Sequence, residues 1–217
     1  MINAILVVDV AITAFSGITG GAGDGQVGNH IIGFGYFKPY TMDSNVLMFF
    51  ASAIMIAFCI KNLVHGADMT PKWALTFYLT GSSCLFLTMF IAAVFLGPMK
   101  VMMGESYFVM FQDDMFFFHL LNPLIAIFTF TFLMKKHRYG MRDCLPAIVP
   151  TVIYSVVYLI MVVFLKKWND FYGFTFGGRY YLVPLVIIVV YCLVSGFAAL
   201  LSRLHNRHIP GNSPASK

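Results

Sequence analysis

Two polar side chains stand at the heads of strongly apolar segments, where together they could carry out acyl chemistry. Thr41 precedes the apolar run that begins at Asn45, and His119 lies inside the stretch "FFFHLLNPL". Removal of water favours the neutral form of an imidazole, which can accept a proton from a hydroxyl within reach. A threonine hydroxyl needs that help because it is a poor nucleophile by itself. The residue types therefore predict a nucleophile, Thr41, and a general base, His119.

The spacing of polar residues predicts that several apolar segments turn one polar edge toward a common interior. At 3.6 residues per turn, His119 shares a helix face with Asn122, Ala126 and Thr129. Such edges are costly against lipid, so we expect them to face one another. Pro123 also predicts a kink beside Asn122. Comparable edges in three other segments contain Thr41, Asn45 and Ser52, then Thr76, Thr80 and Ser83, then Thr151, Tyr154 and Tyr158.

Further polar residues near this pair are candidates for stabilising or orienting roles. Backbone amides at the head of the segment, near Asp43 to Asn45, point toward the region where an oxyanion would form. The side chains of Asn45 and Asn122 can serve the same purpose. Asp113 or Asp114 can orient the imidazole of His119.

A non-catalytic interpretation accounts for the same residues. In it, His119 is a buried histidine bonded to Asn122 or to a neighbouring carbonyl. Thr41 then only caps its helix ahead of "MDSN". The sequence pattern alone leaves both interpretations open.

The composition shows what must position these residues. The chain has 217 residues, 59% of them hydrophobic and 11% charged, which is typical of a membrane protein. Runs of this length and apolarity predict an all-α integral membrane protein, a bundle of six transmembrane helices forming a single domain over residues 1–204. Residues 205–217 are predicted to be a polar, disordered tail. The predicted spans are Asn3–Thr19, Asn45–Val64, Trp73–Gly97, Phe116–Met134, Leu145–Leu165 and Tyr181–Leu204.

The distribution of Lys and Arg predicts the orientation of the bundle. The strongest signal is "KKHRYGMRD", between the fourth and fifth predicted spans, which favours both termini in the cytoplasm. This orientation places Thr41 and His119 in the outer leaflet of the cell membrane. The net charge of +5 then reflects topology and attraction to anionic membrane lipids, and it gives no reason to expect nucleic acid.

Two motifs that resemble cofactor or metal sites lack the context that those sites require. "GDGQVG" at Gly23 to Gly28 fits a dinucleotide pattern but follows a predicted membrane span instead of a strand. His205 and His208 are spaced like metal ligands, yet two ligands do not complete a coordination sphere. They are interpreted as part of a juxtamembrane, lipid-facing cationic stretch, and no metal or cofactor is predicted.

Three segments resemble the androgen-induced and androgen-dependent membrane protein family, which consists of multi-pass threonine hydrolases of fatty-acid esters of hydroxy fatty acids. They are "KPYTMDSNVLMFFASAIMIAFCI", "FFFHLLNPLIAIFTFTFLMKKH" and "IYSVVYLIMVVFLKKWNDFYGF", and the chain as a whole resembles the bacterial relatives. The resemblance covers about residues 36 to 175. It implies that Thr41 is the nucleophile and His119 the base. The chain departs from animal members in the "MDSN" after Thr41 and the "NPL" after His119.

The residues and the resemblance together predict an intramembrane hydrolase or acyl-transfer enzyme for a lipid ester. Trp168, Asn169 and Asp170, in an outside loop, are expected to line its entrance. The alternatives are a small transporter or channel component, with polar residues through the depth of the bundle, and a non-catalytic protein of the same fold. Thr129 and Ser195 lie deeper than His119 and favour the transporter.

Overall fold

The computed structural model describes residues 26–27, 30–31, 37–134 and 137–209. Two short strands, β1 (Gln26–Val27) and β2 (His30–Ile31), pair antiparallel. The other regular secondary structure in the described residues is helical. Its five long helices are α1 (Tyr40–His65), α2 (Lys72–Met102), α3 (Asp113–Leu133), α4 (Met141–Phe164) and α5 (Tyr180–Arg207).

Several of these helices contain turns that are wider or tighter than an α-helix. A separate 3₁₀ turn, Tyr107–Phe111, precedes α3. The 3₁₀ segments within the long helices are Leu145–Ala147 in α4 and Tyr180–Leu182 in α5. The π-helical segments are Ala92–Leu96 in α2, Phe117–Leu121 and Thr129–Leu133 in α3, and Leu159–Phe164 in α4.

All five long helices are long and apolar enough to cross a membrane. They correspond to the last five of the six predicted spans, so the multi-pass helical character is confirmed for the described part of the chain. The first predicted span, Asn3–Thr19, lies outside the described residues. The same is true of most of the "GDGQVG" segment.

Helix α2 forms the centre of the bundle and packs against α1, α3 and α5. The contact between α1 and α2 is close at Gly81. A side-chain carbon at that position would lie 2.9 Å from the sulfur of Met48. A small residue at a helix contact allows two backbones to approach closely. Met48 belongs to the main apolar core, which also includes Leu79, Phe130 and Leu201.

The end of α5 differs from the prediction for the tail. The helix continues to Arg207, so the predicted tail begins with three ordered helical residues. His205 is buried, and its two ring nitrogens lie 2.9 Å from the carbonyl oxygens of Phe130 and His137. The interpretation of His205 as lipid-facing is therefore wrong, because its hydrogen bonds connect α5 to the end of α3 and to the segment that follows.

Candidate functional site

The heads of α1 and α3 lie at the same end of the bundle, which we call the Thr41 end. Helix α1 begins at Tyr40, directly after Pro39, which has an extended backbone conformation. The head of α3 packs against both α1 and α2. Because successive helices run in opposite directions, the loops before α3 and before α5 also lie at this end.

Thr41 and His119 are in contact. The Thr41 hydroxyl oxygen lies 3.3 Å from Nε2 of His119, and the residues are 7% and 4% exposed. On the other side of the ring, Nδ1 lies 2.7 Å from the carbonyl oxygen of Met110. A carbonyl oxygen only accepts, so Nδ1 carries the proton and Nε2 is left to accept from Thr41. This is the tautomer that a general base needs.

The group that orients the imidazole is a backbone carbonyl. Asp113 and Asp114 were predicted for this role, but both are exposed at the start of α3, and Met110 occupies Nδ1. The prediction is therefore corrected. The 3₁₀ turn Tyr107–Phe111 explains the difference, because it carries Met110 over the head of α3.

The local shape of α3 is set by Pro123. The ring of a proline clashes with the carbonyl four residues earlier, which is the carbonyl of His119. The structure relieves this clash with the π-helical turn Phe117–Leu121, which contains His119 itself. The predicted irregularity therefore takes the form of a widened turn, and such turns often occur at functional sites.

Asn45 and Asn122 fix the backbone around Thr41. The amide nitrogen of Asn45 donates to the Thr41 carbonyl at 2.7 Å, and Asn122 donates to the side-chain oxygen of Asn45 at 2.9 Å. Both residues are buried. The structure thus brings them to the site as positioning residues, whereas their predicted role in holding an oxyanion stays a prediction.

The capping role that the non-catalytic interpretation gives Thr41 is not found. The N-cap of α1 is Pro39, with no side-chain capping bond, and the Thr41 hydroxyl faces His119. The other half of that interpretation, a carbonyl partner for His119, matches the contact with Met110. The geometry is therefore compatible with both a structural and a catalytic histidine.

The polar edges of α1, α2 and α4 also meet near Thr41. Ser44 bonds to Thr88 at 2.8 Å, and the Tyr40 hydroxyl bonds to Thr151 at 2.9 Å. Of the residues predicted on α2, Thr80 and Ser83 instead donate to carbonyls of their own helix. The contact from α2 comes from Thr88, one turn beyond the predicted edge.

Thr41 lines a narrow cavity of about 60 Å³ between α2, α4 and α5. The other lining residues that carry a hydroxyl are Tyr40, Thr88, Thr151, Tyr154, Ser155, Tyr158, Tyr172 and Tyr191. The apolar residues of the lining are Leu87, Ile91, Leu96, Phe174, Val183, Val186, Ile187 and Val190.

A second concave surface, of about 350 Å³, runs between α1 and α4. Asp43, one of the predicted site residues, lines this groove together with Trp168, and Ile153 beside them is 61% exposed. The rings of Tyr40 and Tyr154 line both the groove and the cavity, with their centroids 5.1 Å apart. These two tyrosines therefore separate the groove from Thr41.

The loop between α4 and α5, residues 165–179, covers the cavity. Asp170 organises it by accepting hydrogen bonds from Tyr158, from the Phe174 amide at 3.0 Å, and from both the amide and hydroxyl of Thr175. Of the predicted entrance residues, Trp168 lines the groove, Asn169 is exposed, and Asp170 shapes the loop.

We expect Asp170→Asn to loosen this loop at neutral pH. Burial alone would raise the pKa of Asp170, but its hydrogen bonds outweigh that effect and hold the pKa below its usual value. A lowered pKa stabilises the fold above the unfolded-state value of about 3.9, and this stability is lost as the pH falls through the lower folded-state value. The variant should lose about 1 kcal/mol at pH 7. Thermal unfolding in detergent should show this difference shrinking as the pH falls below about 3.9, and an equal difference at all pH values would contradict the assignment.

Sequence reasoning missed Tyr172, whose hydroxyl accepts the backbone N–H of Tyr40 at 2.8 Å. Tyr40 and Tyr172 are 132 positions apart, and helical periodicity cannot predict a contact between residues so distant in sequence. Among the described residues, no group of three His, Cys, Asp or Glu side chains is placed to hold a metal ion.

No protein-family model, no curated protein and no solved structure matches the chain.

Proposed function

We propose that this protein is an integral-membrane hydrolase or acyl-transfer enzyme that acts on a lipid ester. The observation that carries the proposal is the buried contact between the Thr41 hydroxyl and Nε2 of His119, with Nδ1 held by Met110. A nucleophile, a base within hydrogen-bonding reach and a third group that orients the base are the elements of covalent acyl transfer. The resemblance to threonine hydrolases of fatty-acid esters supports the same reaction.

In the proposed reaction, His119 takes the proton from Thr41 as the threonine oxygen attacks the acyl carbonyl. The new bond joins this oxygen to the acyl carbon, and the carbonyl electron pair moves onto its oxygen. Collapse of the intermediate breaks the ester C–O bond, and His119 returns the proton to the leaving alcohol. Water then releases the acyl group in a hydrolase, and a second alcohol accepts it in a transferase. No metal or organic cofactor enters this scheme.

The substrate proposal follows from the shape and polarity of the surroundings. Ligand pockets commonly measure about 300–1,000 Å³, so the cavity of about 60 Å³ beside Thr41 holds little more than the reacting end of a lipid. The groove between α1 and α4 is large enough for a chain and borders the exposed, apolar Ile153. A lipid would enter from the bilayer along this groove, and Tyr40 and Tyr154 would part to admit its carbonyl.

The orientation of the site in the membrane is part of the proposal. The excess of Lys and Arg in "KKHRYGMRD", at the end opposite to Thr41, supports a cytoplasmic location for that loop and for both termini. The Thr41 end then opens toward the outer leaflet of the cell membrane. Labelling of single cysteines from outside the cell tests this arrangement, because position 100 should react and position 138 should not.

The reaction itself is tested by turnover in detergent or in vesicles. Purified protein should release fatty acid from an ester of a long-chain hydroxy fatty acid, and also from a long-chain nitrophenyl ester. Addition of glycerol distinguishes transfer from hydrolysis, since a transferase forms a new ester. A thermal unfolding transition shows that the purified protein is folded. If folded protein turns over esters of no chain length, the proposal is contradicted.

Transport is the second candidate, and polar residues at the middle of the bundle favour it. Ser52 and Thr129 are buried there beside the hydroxyl of Tyr78. Ser195 of α5, by contrast, donates to the Tyr191 carbonyl of its own helix. A transporter would move a polar solute across the membrane of vesicles that contain the protein. The same vesicles would show no turnover of the ester substrates.

A further inference from the structure

Tyr172 brings a phenol hydroxyl close to Thr41, the proposed nucleophile. Its side chain is 6% exposed, and its oxygen accepts the backbone N–H of Tyr40 at 2.8 Å. The same oxygen is close enough to the N–H and the hydroxyl of Thr41, and to the Tyr154 hydroxyl, to interact with them, and all three residues line the same cavity. Tyr172 comes from the loop between α4 and α5, far from both residues of the pair in sequence.

The directions of the hydrogen bonds determine what this hydroxyl can do. His119 needs the proton of Thr41, because Nδ1 already donates to Met110 and Nε2 can only accept. The Thr41 oxygen then has a lone pair free for the O–H of Tyr172. The backbone N–H of Tyr40, which donates to the phenol oxygen, polarises that O–H and strengthens it as a donor.

The surroundings keep Tyr172 protonated and in place. Burial raises the pKa of its hydroxyl to about 12, so the group remains a donor at neutral pH. The ring stacks on Phe174 at a centroid distance of 5.1 Å. The loop that carries both rings is fixed by the hydrogen bonds to Asp170. A donor held in this way needs no reorganisation when charge develops nearby.

We propose that Tyr172 is a catalytic residue of this site, and that its O–H stabilises the negative charge that develops during acyl transfer. This inference rests on the proposed function. As the proton leaves Thr41 for His119, the hydroxyl of Tyr172 donates to the threonine oxygen. Once that oxygen has bonded to the acyl carbon, the same O–H donates to the former carbonyl oxygen, which now carries the negative charge. Tyr172 keeps its own proton throughout, and His119 supplies the proton for the leaving alcohol.

The first test is Tyr172→Phe, which removes the hydroxyl and keeps the ring. Loss of one donor to an oxyanion costs roughly 10²-fold in rate, and we expect a fall of that size in kcat with little change in KM. The rate of labelling by a long-chain fluorophosphonate should fall in parallel. Tyr139→Phe is the matched control, because Tyr139 is also 6% exposed and its ring packs against Phe130 at the opposite end of the bundle. This control should retain the wild-type rate.

A second variant separates catalysis from support of the loop. Difluorotyrosine at position 172 has a more acidic phenol, and an ionised phenol cannot donate. The alkaline limb of the rate profile should therefore move to lower pH, a change that a purely structural tyrosine would not cause.

The two proposals can fail separately. An unchanged rate in Tyr172→Phe, or an unmoved alkaline limb with difluorotyrosine, would overturn the role of Tyr172 while leaving Thr41 and His119 in place. Full activity in Thr41→Ala would overturn the proposed function itself. If Tyr172→Phe does not fold, the difluorotyrosine variant still decides the question.

Discussion

Thr41→Ala is expected to abolish covalent labelling by a long-chain fluorophosphonate and to reduce ester turnover by roughly 10³-fold or more. The hydroxyl of Thr41 is the nucleophile in the proposed reaction, and alanine offers no atom that can form the acyl bond. Thr41→Ser keeps a hydroxyl at the same carbon and should keep measurable activity. Both rates are measured on purified protein in detergent micelles.

The control for this substitution is Ser83→Ala. Ser83 is also buried, and its hydroxyl donates to the Leu79 carbonyl of its own helix at 2.7 Å. Loss of one buried hydrogen bond costs about 1 kcal/mol of stability in either variant, so both should fold. Only Thr41→Ala should lose activity. Wild-type labelling in that variant would exclude Thr41 as the nucleophile.

His119→Gln has the second largest expected effect. Removal of a general base typically lowers a rate by about 10²–10⁴-fold, and glutamine preserves polarity without accepting a proton. The wild-type rate should rise with pH as the imidazole loses its proton. The variant should lack this limb, and a pH profile of kcat/KM measures the difference.

His65→Gln provides the comparison for that experiment. His65 is exposed at the opposite end of the bundle, where Nδ1 contacts the Lys61 carbonyl at 2.9 Å. Its substitution should leave both the rate and the pH profile unchanged. If His119→Gln also retains the wild-type profile, His119 is the structural histidine of the non-catalytic interpretation.

The meeting of Thr41 and His119 could be predicted because it depends on features that a sequence displays. The apolar runs predict the helices. Because successive helices run in opposite directions, the end of the bundle at which each helix begins is also predicted. The number of residues from that end then gives the depth of a side chain in the membrane. Two polar residues at similar depth in inward-facing edges must lie close together in so small a bundle. The structure confirms this juxtaposition at 3.3 Å.

The partners of this pair could not be predicted in the same way. Met110 acts through its backbone carbonyl, and any residue type would provide one at that position. Its placement depends on the 3₁₀ turn Tyr107–Phe111, which has no apolar periodicity to reveal it. Tyr172 depends on a loop whose shape is set by the hydrogen bonds to Asp170. Loop geometry of this kind arises from tertiary contacts instead of local spacing.

Asn45 and Asn122 show an intermediate case. Helical spacing placed both residues on interior edges, which is where they lie. It did not indicate that their amides would bond to each other and to the Thr41 carbonyl, because that outcome depends on the rotation of two helices about their axes. The same limit applies to His205, whose burial requires the ends of α3 and α5 to meet.

The most direct test of the central claim is to locate the fluorophosphonate adduct in the wild-type protein by peptide mass spectrometry. We expect the phosphonyl group on the side-chain oxygen of Thr41, with the adduct absent when His119 is replaced by glutamine. An adduct on another residue, such as Ser44 three positions along α1, would contradict the assignment of Thr41 and His119 as nucleophile and base.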